Sequence, residues 1–213
     1  MKYSHILWDF NGTVLDDVDV GIKAINTLLS RRNMNTLDSL EDYHAHFGFP
    51  IINYYRKLGF DFEKEPFSDI AVEWVNEYNR FVCGAGLCPG VREALEAFRL
   101  AGARQLIFSA SEIGMLRTQL DGLGIIDAFD GVLGCDNIEA YGKTELGIEW
   151  IRCEKPRRAI LIGDTQHDAE SAREMGIECV LVACGHQSKE VLTQLSVPVF
   201  DTLTDAAEYI LAE

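Results

Sequence analysis

The chain has 213 residues, 47% hydrophobic and 25% charged, enough for one large core or for a core domain with a smaller inserted module. Its 34 acidic residues against 19 basic ones give a formal net charge of -15, and no basic cluster exceeds Arg31-Arg32 or Arg157-Arg158. The attraction that draws proteins to nucleic acid or anionic membranes therefore has the wrong sign, and the apolar runs fall far short of the roughly 18 residues of a membrane span.

The amino terminus, MKYSHILWDF, lacks the long apolar stretch and small-residue cleavage site of a signal peptide, so it reads as the first strand of a cytoplasmic protein, monomer or homodimer. Six cysteines, Cys83, Cys88, Cys135, Cys153, Cys179 and Cys184, include no CxxC pair and no histidine at zinc-ligand spacing, so free thiols, buried or half-buried, are expected. Along the chain, short apolar runs recur: HILWDF (5–10), QLIFSAS (105–111), DGVLGCD (130–136), AILIGDT (159–165), ECVLVACG (178–185) and PVFD (198–201). Helical spacing fills the intervals: Val91, Leu95, Phe98 and Leu100 before the second run, Leu116, Leu120 and Leu123 before the third, Leu146, Ile148 and Trp150 before the fourth. Strands alternating with helices predict a Rossmann-like doubly wound α/β fold, a parallel sheet covered on both faces with its chemistry at the carboxyl ends of the strands.

One segment breaks the alternation. From Val18 to about Val82 the pattern is helical only, with Ile22, Ile25, Leu28 and Leu29, then Ile70, Trp74, Val75 and Tyr78. This predicts an all-helical module, 18–83, inserted into a core of 1–17 and 84–213. Its connections are Leu15 to Val18 and the Gly- and Pro-rich Gly84 to Gly90, placed beside the end of the first strand as a hinged lid would be.

Polar residues end three of the runs: Asp9 after the first, Ser109 and Ser111 after the second, Asp164 and Asp168 after the fourth. Carboxylates brought into one crevice repel, so a hard cation is their natural partner. Asp9, Asp164 and a backbone carbonyl of the FNG turn would give the oxygen-only shell that Mg²⁺ takes. Such a site would also receive phosphate, with Ser109 and turn amides as donors and a lysine, Lys143 or Lys155, balancing charge.

These residues carry a resemblance. Asp9-Phe10-Asn11-Gly12-Thr13-Val14-Leu15-Asp16 is similar to the first motif of the haloacid dehalogenase superfamily, Asp-x-Asp-Gly-Thr-Leu-x-Asp. Ser109 resembles the second motif, Lys143 fits the third better than Lys155, and Gly163-Asp164-Thr165-Gln166-His167-Asp168 resembles the fourth. The helical insertion looks like the superfamily's cap, and ACGHQSKEVL resembles a late loop of its phosphoglycolate phosphatase branch. The resemblance implies an Asp9 nucleophile forming an aspartyl-phosphate, with Mg²⁺ held by Asp9, the Asn11 carbonyl and Asp164 and supported by Asp168. It also implies that Ser109 and Lys143 hold the phosphoryl group, with Gly12, Thr13 and Ala110 on the substrate side, and that the substrate is a small phosphorylated metabolite.

The departure is Asn11. Family phosphatases carry there the aspartate that protonates the leaving group and later deprotonates water, and an amide cannot do either. The loss costs a typical ~10² to ~10⁴ in rate, while the backbone carbonyl survives. Three readings follow: a slow Mg²⁺-dependent phosphatase suited to good leaving groups or helped by His44, His46 or Asp17; a phosphate-binding or interaction relative without turnover; or another chemistry such as dehalogenation. Asn11-Gly12 is also a deamidation-prone dipeptide, so some molecules are expected to gain an aspartate after synthesis.

Overall fold

All six apolar runs form strands. The computed structural model describes residues 2–136 and 142–213, and in chain order they give β1 (His5–Trp8), β2 (Leu15–Asp16), α1 (Val18–Arg31), α2 (Leu40–His46), α3 (Ile51–Lys57) and α4 (Phe67–Phe81). Then come β3 (Gly86–Leu87), α5 (Val91–Leu100), β4 (Arg104–Glu112), α6 (Ile113–Gly122), β5 (Gly131–Cys135), α7 (Lys143–Glu154), β6 (Ala159–Gly163), α8 (Gln166–Met175), β7 (Glu178–Val182), α9 (Lys189–Leu192), β8 (Val199–Phe200) and α10 (Leu203–Ala212). The sheet is parallel throughout, in the order β5-β4-β1-β6-β7-β8. No helix among the described residues is long and apolar enough to cross a membrane.

The strands are apolar without alternation because both faces of the sheet are covered. In β1, Ile6 and Trp8 pack on one side with Val91, Phe98, Leu116 and Ile210 of α5, α6 and α10. Leu7, between them, joins Phe108, Leu161, Ala172 and Met175 on the other side. Successive residues of one strand thus feed two cores, the period of two that a pleated strand imposes. Leu100 and Ile148, counted in the apolar stripes of the sequence, are exposed. Cys83, Cys153 and Cys184 are exposed too, against the expectation of buried or half-buried thiols, whereas Cys88, Cys135 and Cys179 are buried, and all six are free.

Helices α1 to α4 build a core of their own from Ile25, Leu28, Leu29, Tyr43, Tyr54, Tyr55 and Ile70. Arg31 and Arg32, at the carboxyl end of α1, clamp Glu73 of α4, and Arg31 also holds Glu77. The two connections to this module are not independent linkers. β2 and β3 pair antiparallel, Leu15 opposite Leu87 and Asp16 opposite Gly86, so the entry and exit of the helical module are hydrogen-bonded to each other.

Register decides where the polar residues emerge. Trp8 is level with Ile107 of β4 and Ile162 of β6, so Asp9, Ser109 and Asp164 all leave the sheet within two residues of one line. Beyond Phe108 the β4 to β5 pairing shifts register and resumes only at Glu112, so Ser109 to Ser111 lie in the irregular stretch. Irregular stretches of this kind re-aim side chains at strand ends.

Candidate active site

Three buried carboxylates meet at the strand ends. Those of Asp9, Asp164 and Asp168 each offer an oxygen within 4.8 Å of the others. Lys143, the first residue of α7, follows Gly142 at φ +92° and sends its ammonium into the cluster, 2.5 Å from Asp9 and 2.6 Å from Asp168. Lys155 lies at the far end of the same helix and is exposed. Asp168 has two tasks, because its second oxygen accepts from the Thr165 amide at 3.1 Å and hydroxyl at 2.7 Å and so fixes the start of α8. Asp164 accepts from the His186 amide at 2.6 Å and the Thr13 hydroxyl at 3.2 Å.

Three carboxylates against one ammonium leave surplus negative charge in a buried place, and the titrations reflect it. Burial and the Asp168 carboxylate hold Asp9 well above the usual carboxylate range, against the pull of Lys143. Burial pushes Asp164 up to about 7, opposed by His186. Asp168 is also penalised by burial, but Lys143 and Thr165 outweigh this and hold its carboxyl low. Lys143 is held above the ordinary lysine range, since Asp168 and Asp9 overcome its desolvation.

The turn after Asp9 closes a second network. Gly12 takes φ +75°, and a Cβ there would run into the Asp164 carboxylate and the His186 ring. Asp17 accepts the Gly12 amide at 2.8 Å, the Asn11 side-chain amide at 2.7 Å and the Tyr78 hydroxyl at 2.6 Å. His186 lies 3.3 Å from Asp17 through Nε2 and 2.7 Å from the Tyr43 hydroxyl through Nδ1. Burial disfavours charge on both, yet His186, Tyr78 and Asn11 keep Asp17 low and Asp17 with Asp164 lifts His186 to about 9. The Asn11 amide also donates to Tyr78 at 2.9 Å, and its oxygen accepts from Ser111 at 2.9 Å.

Most of the sequence-selected residues converge. Asp9, Asn11, Ser109, Ala110, Lys143, Asp164 and Asp168 line one cavity between the sheet edge and the helical module, as does Asp17. Gly12 and Thr13 do not face it; the Gly12 amide is used by Asp17 and the Thr13 hydroxyl by Asp164, so this pair braces the site from behind. Of the histidines proposed as proton donors, His44 reaches the Gly185 carbonyl and His46 stays within its own helix on Asp42. The histidines that line the cavity are His186 and His167, with Tyr43 and Tyr78 from the helical module. His167 stacks on Phe49 at 4.7 Å, and burial with Lys143 nearby holds its ring below the ordinary histidine range. A signal for His186 existed, since it follows the run ECVLVACG and so lies near the chemical edge of the sheet; none existed for the tyrosines.

A parallel sheet whose central strand ends in a buried carboxylate, joined there by two more carboxylates and a lysine from neighbouring elements, defines a doubly wound α/β protein with its chemistry at the strand ends. The chain belongs to the haloacid dehalogenase-like hydrolase family, whose model matches residues 6–182. It is 27% identical over 187 residues to a phosphoglycolate phosphatase of Rhodobacter capsulatus, covering 85% of each chain. Among solved structures it resembles a haloacid dehalogenase-like hydrolase from Streptococcus pneumoniae at TM-score 0.82 and 21% identity, covering 98% of this chain and 99% of that one. It also resembles a mutant of CbbY from Rhodobacter sphaeroides in complex with xylulose-(1,5)bisphosphate, at TM-score 0.70 and 17% identity over 94% of each chain.

Proposed function

We propose that the protein is a Mg²⁺-dependent phosphatase that acts on a small phosphorylated metabolite through an aspartyl-phosphate at Asp9. The observation that carries the reading is the contact of Lys143 with Asp9 inside a cluster of three buried carboxylates. The phosphoglycolate phosphatase of Rhodobacter capsulatus supports the same reaction class. An all-oxygen donor set with surplus negative charge fits a hard divalent cation, which Asp9, the Asn11 main-chain carbonyl and Asp164 would hold with Asp168 in support. When bound, the ion supplies charge neutralisation for the phosphate oxygens.

The remaining work falls to side chains. A carboxylate oxygen of Asp9 attacks phosphorus, forming a P–O bond as the bond to the leaving oxygen breaks and that oxygen takes the electron pair. Lys143 and Ser109, with the backbone at Ala110, hold the phosphoryl oxygens, and Lys143 lowers the cost of ionising Asp9. Water then attacks phosphorus, its oxygen bonding there as the bond to the Asp9 oxygen breaks and Asp9 recovers the electron pair, while the proton water loses passes to an oxygen of the departing phosphate because Asn11 cannot accept it. In this reading residues 1–17 and 84–213 are the catalytic core and 18–83 the cap that contacts the leaving group. Asn11 gives no proton to that group, so turnover is fastest for leaving groups that need none.

The test is hydrolysis of acetyl phosphate, para-nitrophenyl phosphate and phosphoglycolate with Mg²⁺. Asp9→Asn removes all turnover, and Asn11→Asp raises that of alkyl esters by ~10² or more. Inactivity of both the wild type and Asn11→Asp would mark a phosphate-binding relative instead, and fluoride release from fluoroacetate without Mg²⁺ would mark a dehalogenase.

A further inference from the structure

The cavity above Asp9 has two unlike halves. Its floor is the charged cluster. Its roof comes largely from the helical module, with Phe49, Ile51, Phe67, Trp74 and Val75, and Met115 of α6 closes one side. Trp74 and Val75, read from the sequence as part of the module's own apolar stripe, thus face the space beside the phosphate position. The roof carries no charge. The cations that reach the cavity are already matched, Lys143 by Asp9 and Asp168 and His186 by Asp17, and Glu112 adds another carboxylate to the lining. His167 is packed flat on the Phe49 ring, 4.7 Å between centroids. Tyr54 lines the cavity as well, but its hydroxyl is buried away from the open space and makes no hydrogen bond among the described residues. The cavity measures about 200 Å³, and an apolar cavity of ~150 Å³ is known to admit a benzene ring.

We propose that the group bound beside the phosphate is a neutral aromatic ring, so that the substrate class is an aryl monophosphate. A phosphate bearing a second anion, such as phosphoglycolate, fits less well. The proposal rests on the phosphatase reading and names its substrate class. Two independent observations lead to it. A second carboxylate under this roof would be desolvated where Lys143, the one lysine or arginine among the described lining residues, is already held by Asp9 and Asp168, whereas a ring gains contact with Trp74 and Phe67. The chemistry agrees: when the P–O bond to a phenol breaks, the electron pair stays on an oxygen whose conjugate acid has a pKa of about 10. The phenolate departs without a general acid and takes its proton from water, which is the reaction that Asn11 permits.

Binding separates this proposal from turnover. Benzylphosphonate and phosphonoacetate are non-hydrolysable and differ only in carrying a phenyl ring or a carboxylate, so calorimetric titration of both into the Mg²⁺-loaded protein measures the roof alone. The expected result is tighter binding of benzylphosphonate by about tenfold or more. Trp74→Ala should remove that preference while leaving phosphonoacetate affinity within about twofold. Equal or tighter binding of phosphonoacetate, or no binding of either compound, overturns the aromatic assignment. Acetyl phosphate, too small to need the roof, reports the other reading: its hydrolysis together with a phosphonoacetate preference sinks only the aromatic class. A benzylphosphonate preference without any hydrolysis sinks the phosphatase reading and leaves the aromatic pocket standing.

Discussion

Asn11 is held by three side-chain partners, Asp17, Tyr78 and Ser111, so every hydrogen-bonding group of its amide has a place in the fold. This changes what a carboxyl at the same position would do. In Asn11→Asp the introduced group faces Asp17 where the amide donated at 2.7 Å, and two carboxylates at that distance share a proton. The pair should retain a proton near neutral pH, which is what a general acid needs, so the gain on alkyl esters should come with a pH profile that falls on the alkaline side. The same contacts bear on deamidation. The reaction requires the Gly12 nitrogen to attack the Asn11 side chain, but the Gly12 amide is bonded to Asp17 at 2.8 Å and its backbone is fixed at φ +75°. Peptide mapping should therefore find Asn11 intact after prolonged incubation of the folded protein and extensively converted after incubation in urea. The metal prediction also belongs to single residues. Asp9 and Asp164, held above the carboxylate range by burial, bind more protons folded than unfolded, so the cation-free protein loses stability as pH rises toward 7. Mg²⁺ at matched ionic strength should raise Tm more at pH 8 than at pH 5, and an equal rise at both would show that the cluster is not where the ion binds.

Elements explain why some of this was legible in the sequence. Parallel strands covered on both faces are written as unbroken apolar runs, so HILWDF, QLIFSAS and AILIGDT announced themselves, and their shared register brings Asp9, Ser109 and Asp164 to one edge. Lys143 was separable from Lys155 by motif spacing, and the helix between them keeps the two about 18 Å apart. The rest depends on contacts between elements distant in sequence. Tyr78 of α4 meets Asp17 across 61 positions and His186 meets it across 169, separations to which no periodicity corresponds. The β2 to β3 pair is only two residues long on each side, too short for any alternation to appear, so the connections read as plain linkers. Gly12-Thr13 was expected to face phosphate because the motif places them there, but Asp17, buried behind the turn, claims the Gly12 amide. The Tyr78 contact is testable at this scale. Tyr78→Phe removes the hydroxyl shared by Asp17 and Asn11 and leaves the buried Asp17 and the half-buried Asn11 each with one partner fewer, which should cost about 1–3 kcal/mol in urea denaturation. His44→Ala, at the rim on a backbone carbonyl, should cost less than half as much.

At the scale of the whole molecule, the question is what couples the helical module to the sheet domain. The cluster of Val20, Ala24 and Tyr78 lies within the module and reaches only Ala85 at its exit, and the paired connections fix only the base. Side-chain bridges across the gap include Tyr78 to Asn11, Phe49 on His167 and, most extensively, His186 on the loop after β7, which joins Asp17 at the foot of α1 to Tyr43 of α2 and stacks on Phe47 at 5.2 Å. Its titration gives the bridge a pH dependence with a definite sign. Burial alone would lower the pKa of His186, but Asp17 and Asp164 lift it to about 9 from an ordinary 6.5. A group raised in the folded state contributes its full stabilisation below the unfolded value and loses it as pH climbs through the folded one. The ion pair should therefore support the structure fully at pH 6 and fade between pH 6.5 and 9, a change on the order of 3 kcal/mol if the shift is realised in full. Asp164 and Asp9 titrate in the same sense, so the share of the fall that belongs to His186 is the part its replacement removes. Urea midpoints measured in EDTA from pH 6 to pH 10 should decline along this window, and His186→Gln, which keeps hydrogen-bonding capacity without the charge, should lower stability at pH 6 and flatten the slope. A variant that is less stable yet retains the wild-type slope would show that the module is held by packing and the β2 to β3 pair, with the histidine bridge playing no part in the coupling.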